Sequence, residues 1–169
     1  QTASRIGRIV ITTGTLNANG GISFAGTTPA NKVIDMSTGG GTGTLNLKGA
    51  LTGAANATLT AGTSGSIFNY ADNASAQTVN FFGAGAYHNL HINTTGGAGA
   101  TLAAAISATN VTGNLRVQSG TLNNGGFAIV GNASRTFEVA NAAFFQLGGT
   151  TSAFPTGFGT VSLGATSTV

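Results

Sequence analysis

The sequence predicts an all-β protein built as a parallel β-solenoid, and three observations carry that prediction. Apolar residues recur at period two in short pairs, Gly/Asn/Thr turn material separates the pairs, and one strand–turn–strand unit occurs twice. Short alternating strands and Gly/Asn turns equally suit an antiparallel β-sandwich with donor-strand exchange, which stays open as the alternative fold.

The alternating pairs run the length of the chain: Ile9 and Ile11, Ile22 and Phe24, Leu45 and Leu47, Val79 and Phe81, Leu90 and Ile92, Leu115 and Val117, Phe127 and Ile129, Phe137 and Val139. Each defines a strand with one apolar face. Helix signals are nearly absent. The best stretch, T101-L-A-A-A-I-S-A-T109, is short and flanked by β-formers.

The repeat aligns R8-I-V-I-T-T-G-T-L-N-A-N-G-G-I-S-F-A-G26 with N114-L-R-V-Q-S-G-T-L-N-N-G-G-F-A-I-V-G131. Ile9 falls on Leu115, Ile11 on Val117 and G14-T-L-N17 on G120-T-L-N123, with a further echo at G43-T-L-N46. A coil of roughly 20 residues cannot bury its own apolar side chains, but stacked coils bury them between layers. In the G-T-L-N unit, Leu is expected to pack on the equivalent Leu of the next coil. Gly is expected to take a corner conformation closed to residues with a Cβ, and Asn to form hydrogen-bonded ladders along the axis.

Q77-T-V-N-F-F-G-A-G-A-Y-H-N-L-H-I-N93, followed by T109-N-V-T-G-N-L-R-V-Q-S-G-T-L-N-N-G-G126, resembles repeats of large bacterial secreted and cell-surface proteins of the autotransporter or adhesin type. Residues 75–131 carry the resemblance, and residues 8–26 share it by internal similarity. It implies a parallel β-helix at a bacterial surface. Members of that group are generally long, so a chain of 169 residues implies a polymer of many copies.

Composition narrows the partners. Only 5% of residues are charged, against about 25% in an average soluble protein, so Thr, Ser, Asn and the backbone must keep the surface wet. No apolar run approaches the roughly 20 residues of a transmembrane helix. The six Lys/Arg are scattered and only Arg5 and Arg8 lie close together, which argues against nucleic-acid binding. A first residue of Gln1 suggests removal of a signal peptide and export, and the absence of cysteine means that disulfides are not the staple.

No motif names a reaction. His88 and His91, the only histidines, are three apart, and in one strand such residues face opposite sides. With His88 inward, Tyr87, Asn89 and His91 face out, and the imidazoles cannot share a metal. Asp35, Asp72 and Glu138 are the only acids. Asp72 and Glu138 are the one pair that stacking could unite, without an obvious basic partner for a polysaccharide-active site. G39-G-G-T-G43 lacks the Lys-Ser/Thr tail of a phosphate loop. The chain therefore reads as non-catalytic, with no cofactor and no metal.

The ends carry the functional expectation. The chain reads as one β domain, 1–169, with 1–12 an N-terminal assembly strand and 13–169 the solenoid body. Ile6, Ile9, Val10 and Ile11 at one end, and Phe154, Phe158, Val161 and Leu163 at the other, would be the contacts of an extracellular homopolymer assembled head to tail into a filament, sheath or appendage. The alternative is a carbohydrate-binding adhesin module whose exposed Tyr70, Tyr87 and His91 touch surface glycans, and a further one is a polysaccharide-active β-helix enzyme that uses Asp72 and Glu138.

Overall fold

Four of the alternating pairs, Leu45/Leu47, Leu90/Ile92, Leu115/Val117 and Phe137/Val139, each lie within one strand. Ile11, Phe24 and Phe81 fall just past the strands of their partners, and Phe127 and Ile129 form no strand beyond an isolated bridge at Ile129. A computed structural model describes residues 7–95, 97–150 and 152–169. In chain order the strands are β1 (Gly7–Val10), β2 (Thr15–Ala18), β3 (Ile22–Ser23), β4 (Lys32–Asp35), β5 (Thr44–Leu47), β6 (Leu51–Thr52), β7 (Thr58–Thr60), β8 (Ile67–Tyr70) and β9 (Gln77–Val79). They continue as β10 (Ala84–Ala86), β11 (Asn89–Asn93), β12 (Gly99–Leu102), β13 (Leu115–Ser119), β14 (Thr121–Asn123), β15 (Thr136–Val139), β16 (Phe144–Gln146) and β17 (Thr160–Leu163). Among the described residues the only helical pieces are three short 3-10 turns.

The strands wind into a three-faced parallel β-solenoid of about six turns. Face one is β1-β4-β7-β10, face two is β2-β5-β8-β11-β13-β15-β17, and face three is β3-β6 followed by β9-β12-β14-β16. The paired strands are parallel throughout, so the fold is the solenoid and not the antiparallel sandwich. Face three is interrupted between β6 and β9, and side chains bridge the gap. Gln77 Nε2 donates to the carbonyls of Leu47 (3.1 Å) and Gly49 (2.9 Å), and Asn80 Nδ2 donates to that of Leu51 (2.9 Å).

Face two sets the core. Two inward rows climb it, Leu16–Leu45–Phe68–Leu90–Leu115–Phe137–Val161 and Ala18–Leu47–Tyr70–Ile92–Val117–Val139–Leu163. Every member between the two end rungs is at most 2% exposed. At about 1.5–3 kcal/mol for each fully buried large apolar side chain, these rows are the main cohesive term.

G14-T-L-N17 and G43-T-L-N46 stack as expected, Leu16 on Leu45 and Asn17 on Asn46. Two expectations are corrected. Successive face-two partners lie 22 residues apart (Ile67 to Asn89) to 29 apart (Thr15 to Thr44), not a uniform 20 or so. The longer repeat does not mark equivalent positions: G14-T-L-N17 enters face two, whereas T121-L-N123 is β14 on face three. A strand–corner–strand unit has the same local path at either corner, so the sequence repeats without the position repeating.

The motif glycines also differ. Gly120, between β13 and β14, has φ +71°, and a Cβ there would overlap Thr94 Oγ1 and lie 2.6 Å from the Thr94 carbonyl oxygen. Gly14 and Gly43 lie outside the left-handed region. Gly43 is required by the close approach of the Ile11 carbonyl oxygen, 2.6 Å from a built Cβ, and Gly14 faces open space.

Substitution separates these roles. Gly120→Ala combines about 1–2 kcal/mol of left-handed strain with displacement of Thr94, which is fully buried and donates to the Ala98 carbonyl. Its midpoint in chemical denaturation is expected to fall by the equivalent of about 2 kcal/mol or more. Gly14→Ala is expected to stay within about 0.5 kcal/mol of the parent.

Candidate functional site

The outward side of face two carries one continuous polar row: Asn17, Asn46, Asn69, His91, Arg116, Glu138 and Ser162. Its first part is the asparagine ladder expected from the G-T-L-N units. Asn46 Nδ2 donates to Asn17 Oδ1 at 2.9 Å, and Asn69 Nδ2 donates to Asn46 Oδ1 at 2.9 Å. The amide run stops where His91 follows Asn69, and the buried Asn69 Oδ1 has no hydrogen-bond partner.

Above the ladder, charge replaces amides. Burial holds the His91 imidazole down at about 4, and the neighbouring Arg116 guanidinium adds to the effect, so His91 is neutral near pH 7. Arg116 Nε lies 3.1 Å from Glu138 Oε2, but its N–H is not aligned on that oxygen, so the contact is an ion pair without a hydrogen bond. Both side chains are about one-third exposed, and such a pair contributes about 0–1 kcal/mol. A shallow groove of about 300 Å³ follows this row, with Asn89, His91, Arg116 and Glu138 among its walls. The adjacent outward row is tied to the backbone: Asn89 Oδ1 accepts the Asn114 N–H and Asn114 Oδ1 accepts the Thr136 N–H, each at 2.9 Å.

Two of the three expected glycan contacts are inside. Tyr70 and Tyr87 are 0% and 1% exposed and sit in an aromatic cluster with Phe68 and Phe82, with Phe68 5.4 Å from Tyr70 and 5.0 Å from Tyr87 between ring centroids. Their hydroxyls meet at 3.1 Å around Asn80, whose N–H donates to Tyr70 and whose carbonyl accepts from both. Burial raises both phenols above their ordinary value. Strand alternation carried back through His88 puts Tyr87 outward, but the chain turns a corner there. Tyr87 pairs with Val111, and β11 starts at Asn89. Only His91 remains partly accessible.

His88 is buried as expected, beside Thr112, and burial with the Arg135 charge lowers its imidazole as well. Among the described residues, no three His, Cys, Asp or Glu side chains form a metal-binding group. Asp72 Oδ1 accepts the N–H groups of Ala74 and Ser75, closing its own turn. Glu138 belongs to the Arg116 pair. Asp72 follows β8 and Glu138 lies on β15, three rungs away, so stacking does not unite them.

The expected assembly residues fall into three groups. Ile6 lies outside the described residues. Ile9 and Val10 are exposed on β1, while Val161 (45%) and Leu163 (49%) are exposed on β17. Ile11 is buried: its N–H donates to the Asp35 carbonyl at 2.8 Å and its side chain joins the core, because the chain turns inward after β1. Phe154 and Phe158 cover the preceding rung, each with its ring 5.8 Å from that of Phe137. Phe158 is half-buried against the core, whereas Phe154 is 36% exposed.

One signal was missed in the sequence. G159-T-V-S-L163 is a further variant of G43-T-L-N-L47 and occupies the last rung of face two, as G14-T-L-N-A18 occupies the first. Substitution of Ser for Asn and Val for Leu concealed the match.

No protein-family model, curated protein or solved structure matches the chain.

The His91 environment makes stability depend on pH. Between about 6.5 and 4 the unfolded chain takes up a proton at this imidazole while the folded one stays neutral, so stability falls as pH falls through that window and levels off below it. Thermal unfolding is expected to show a lower Tm at pH 4.5 than at pH 7. His91→Asn, which extends the amide ladder by one rung, is expected to reduce this slope and leave the smaller share of His88. An imidazole NMR titration of His91 centred near 6.5 would contradict the assignment.

A second expectation concerns the tyrosine cluster. Tyr70→Phe leaves the Asn80 N–H without its 3.2 Å acceptor and is expected to cost about 1–3 kcal/mol in denaturant unfolding.

Proposed function

We propose that this chain is a non-catalytic structural protein, exported to the cell surface or beyond, whose copies join end to end into a filament, sheath or appendage. The observation that carries the reading is the state of the two end rungs. Among the described residues, face two runs from β2 to β17, and each of these has one strand edge that no described strand pairs, bordered by apolar side chains. An uncovered edge is a template for another strand, and monomeric β proteins ordinarily blunt it with charge, proline or a cap. Neither β2 nor β17 contains a charged residue. Contact between unlike ends does not close on itself, so it propagates as a filament.

The non-catalytic part of the reading rests on the commitments of the acids: Asp72 is held by its turn and Glu138 by Arg116. A surface wetted by Thr, Ser and Asn, with few cleavage points for trypsin-like proteases, suits an extracellular setting. The adhesin reading loses two of its three contacts to the core and retains only the groove beside His91.

Negative-stain electron microscopy and fibre diffraction test the proposal. Purified protein is expected to form uniform filaments with a meridional reflection near 4.8 Å, the parallel-strand spacing. Leu163→Lys places a charge on the free edge and is expected to leave folded monomers, checked by circular dichroism. Monodisperse monomer from the parent protein at high concentration would overturn the reading.

A further inference from the structure

We propose that the two ends are a matched pair that joins in one register: Thr160, Val161, Ser162 and Leu163 of β17 against Thr15, Leu16, Asn17 and Ala18 of the next copy. This inference rests on the end-to-end reading above and specifies its interface.

Backbone phase is the first argument. In parallel pairing, alternate residues direct both N–H and C=O toward one neighbour, and the residues between them toward the other. The carbonyls of Gly14 and Ala18 accept from Thr44 and Lys48, so Gly14, Leu16 and Ala18 face β5 and Thr15, Asn17 and Asn19 face the open end. The N–H groups of Thr160 and Gly164 donate back to Arg135 and Val139, so Val161 and Leu163 face the other open end. These phases interlock. The Val161 N–H meets the Thr15 carbonyl of the next copy, and the Asn17 N–H of that copy meets the Val161 carbonyl. Leu163 does the same with Asn17 and Asn19. A shift of one residue would set free groups against groups already bonded to β5.

Corner position is the second argument: in the unshifted register Gly159 falls against Gly14, each at the entry to face two. A two-residue slip preserves the bond phase but sets Gly159 against Thr12 or Leu16, putting the corners out of line. Side chains agree with the unshifted register: Val161 meets Leu16 and Leu163 meets Ala18 on the inward side, and Ser162 meets Asn17 on the outward side, continuing the polar row. On face three, Thr168 pairs with Phe144 and Val169 borders an apolar hollow of about 480 Å³ with Phe144 and Leu147. Phe24 of the next copy falls over Val169 there. Face one contributes less, since Thr156 bonds back to Ile129 and leaves the forward position to Pro155, which has no N–H. Among the described residues no side-chain charge opposes the contact: residues 154–169 carry none, and Arg8 is paired with Asp35.

The chain contains no cysteine, so disulfide trapping reads the register directly. Directly opposed residues on neighbouring strands lie about 4.8 Å apart, within the Cα range that a disulfide spans, whereas a two-residue offset gives about 8 Å, beyond it. The double variant Ser162→Cys, Asn17→Cys is expected to give a ladder of covalent multimers on oxidation. Ser162→Cys, Thr15→Cys is expected to stay monomeric on the same gel. Filaments whose Thr15 pair cross-links, or in which neither pair does, would overturn the register and leave end-to-end assembly standing. Folded protein that forms neither filaments nor cross-links, in the variants and the parent alike, would overturn both. A filament axial repeat other than about 34 Å per subunit, seven rungs at the strand spacing, would also overturn the direct β17–β2 contact.

Discussion

In-register parallel pairing along face two is the constraint on which the rest of the structure depends. Each rung supplies the hydrogen-bond partners of the next, and no rung buries its apolar side chains alone. Because side chains alternate sides, a slip of one residue would bring Asn46, Asn69, His91, Arg116 and Glu138 inward and expose the leucine, phenylalanine and valine rows. That exchange would lose most of the buried apolar area, so the inward rows set the register and the corners adapt to it. Coil length is free to vary from 22 to 29 residues because the excess leaves at corners without disturbing the rows.

A surface with few charges then needs another source of order, and side-chain amides provide it. The Asn17–Asn46–Asn69 ladder, the Asn89 and Asn114 carbonyls that accept backbone N–H groups, and the Gln77 and Asn80 bridges across the break in face three all run along the axis. Each ties one rung to another, and none needs a charge. The ion pairs of Arg8 with Asp35 and of Arg116 with Glu138 do the same between neighbouring rungs. Among the described residues, interactions directed along the axis leave β2 and β17 as the face-two strands that pair on one side only.

The parts of this design legible in the sequence are those with short-range signatures. Period-two pairs placed β5, β11, β13 and β15, and G-T-L-N predicted the Leu-on-Leu and Asn-on-Asn stacking that β2 and β5 display. Readings failed where a corner intervened. Alternation carried through His88 put Tyr87 outside, and the reading of R8-I-V-I11 as one apolar edge left Ile11 exposed, whereas both side chains lie in the core. A corner rotates the chain to a new face and resets the inside–outside assignment. No local pattern records by how much.

The sequence alone determined a charge-poor β protein of short strands with apolar residues inward and amides outward, because periodicity and turn chemistry are local properties. The parallel direction of pairing came from the tertiary structure. Only the tertiary structure decided which residues share a row. It set Asn69, His91, Arg116 and Glu138 in one line, closed Tyr70 and Tyr87 around Asn80, kept Asp72 and Glu138 apart, and put like motifs on the two terminal rungs of one face. The reason is that coil lengths are irregular: a residue's neighbour along the axis lies 22 to 29 positions away, and only the packed rows select which.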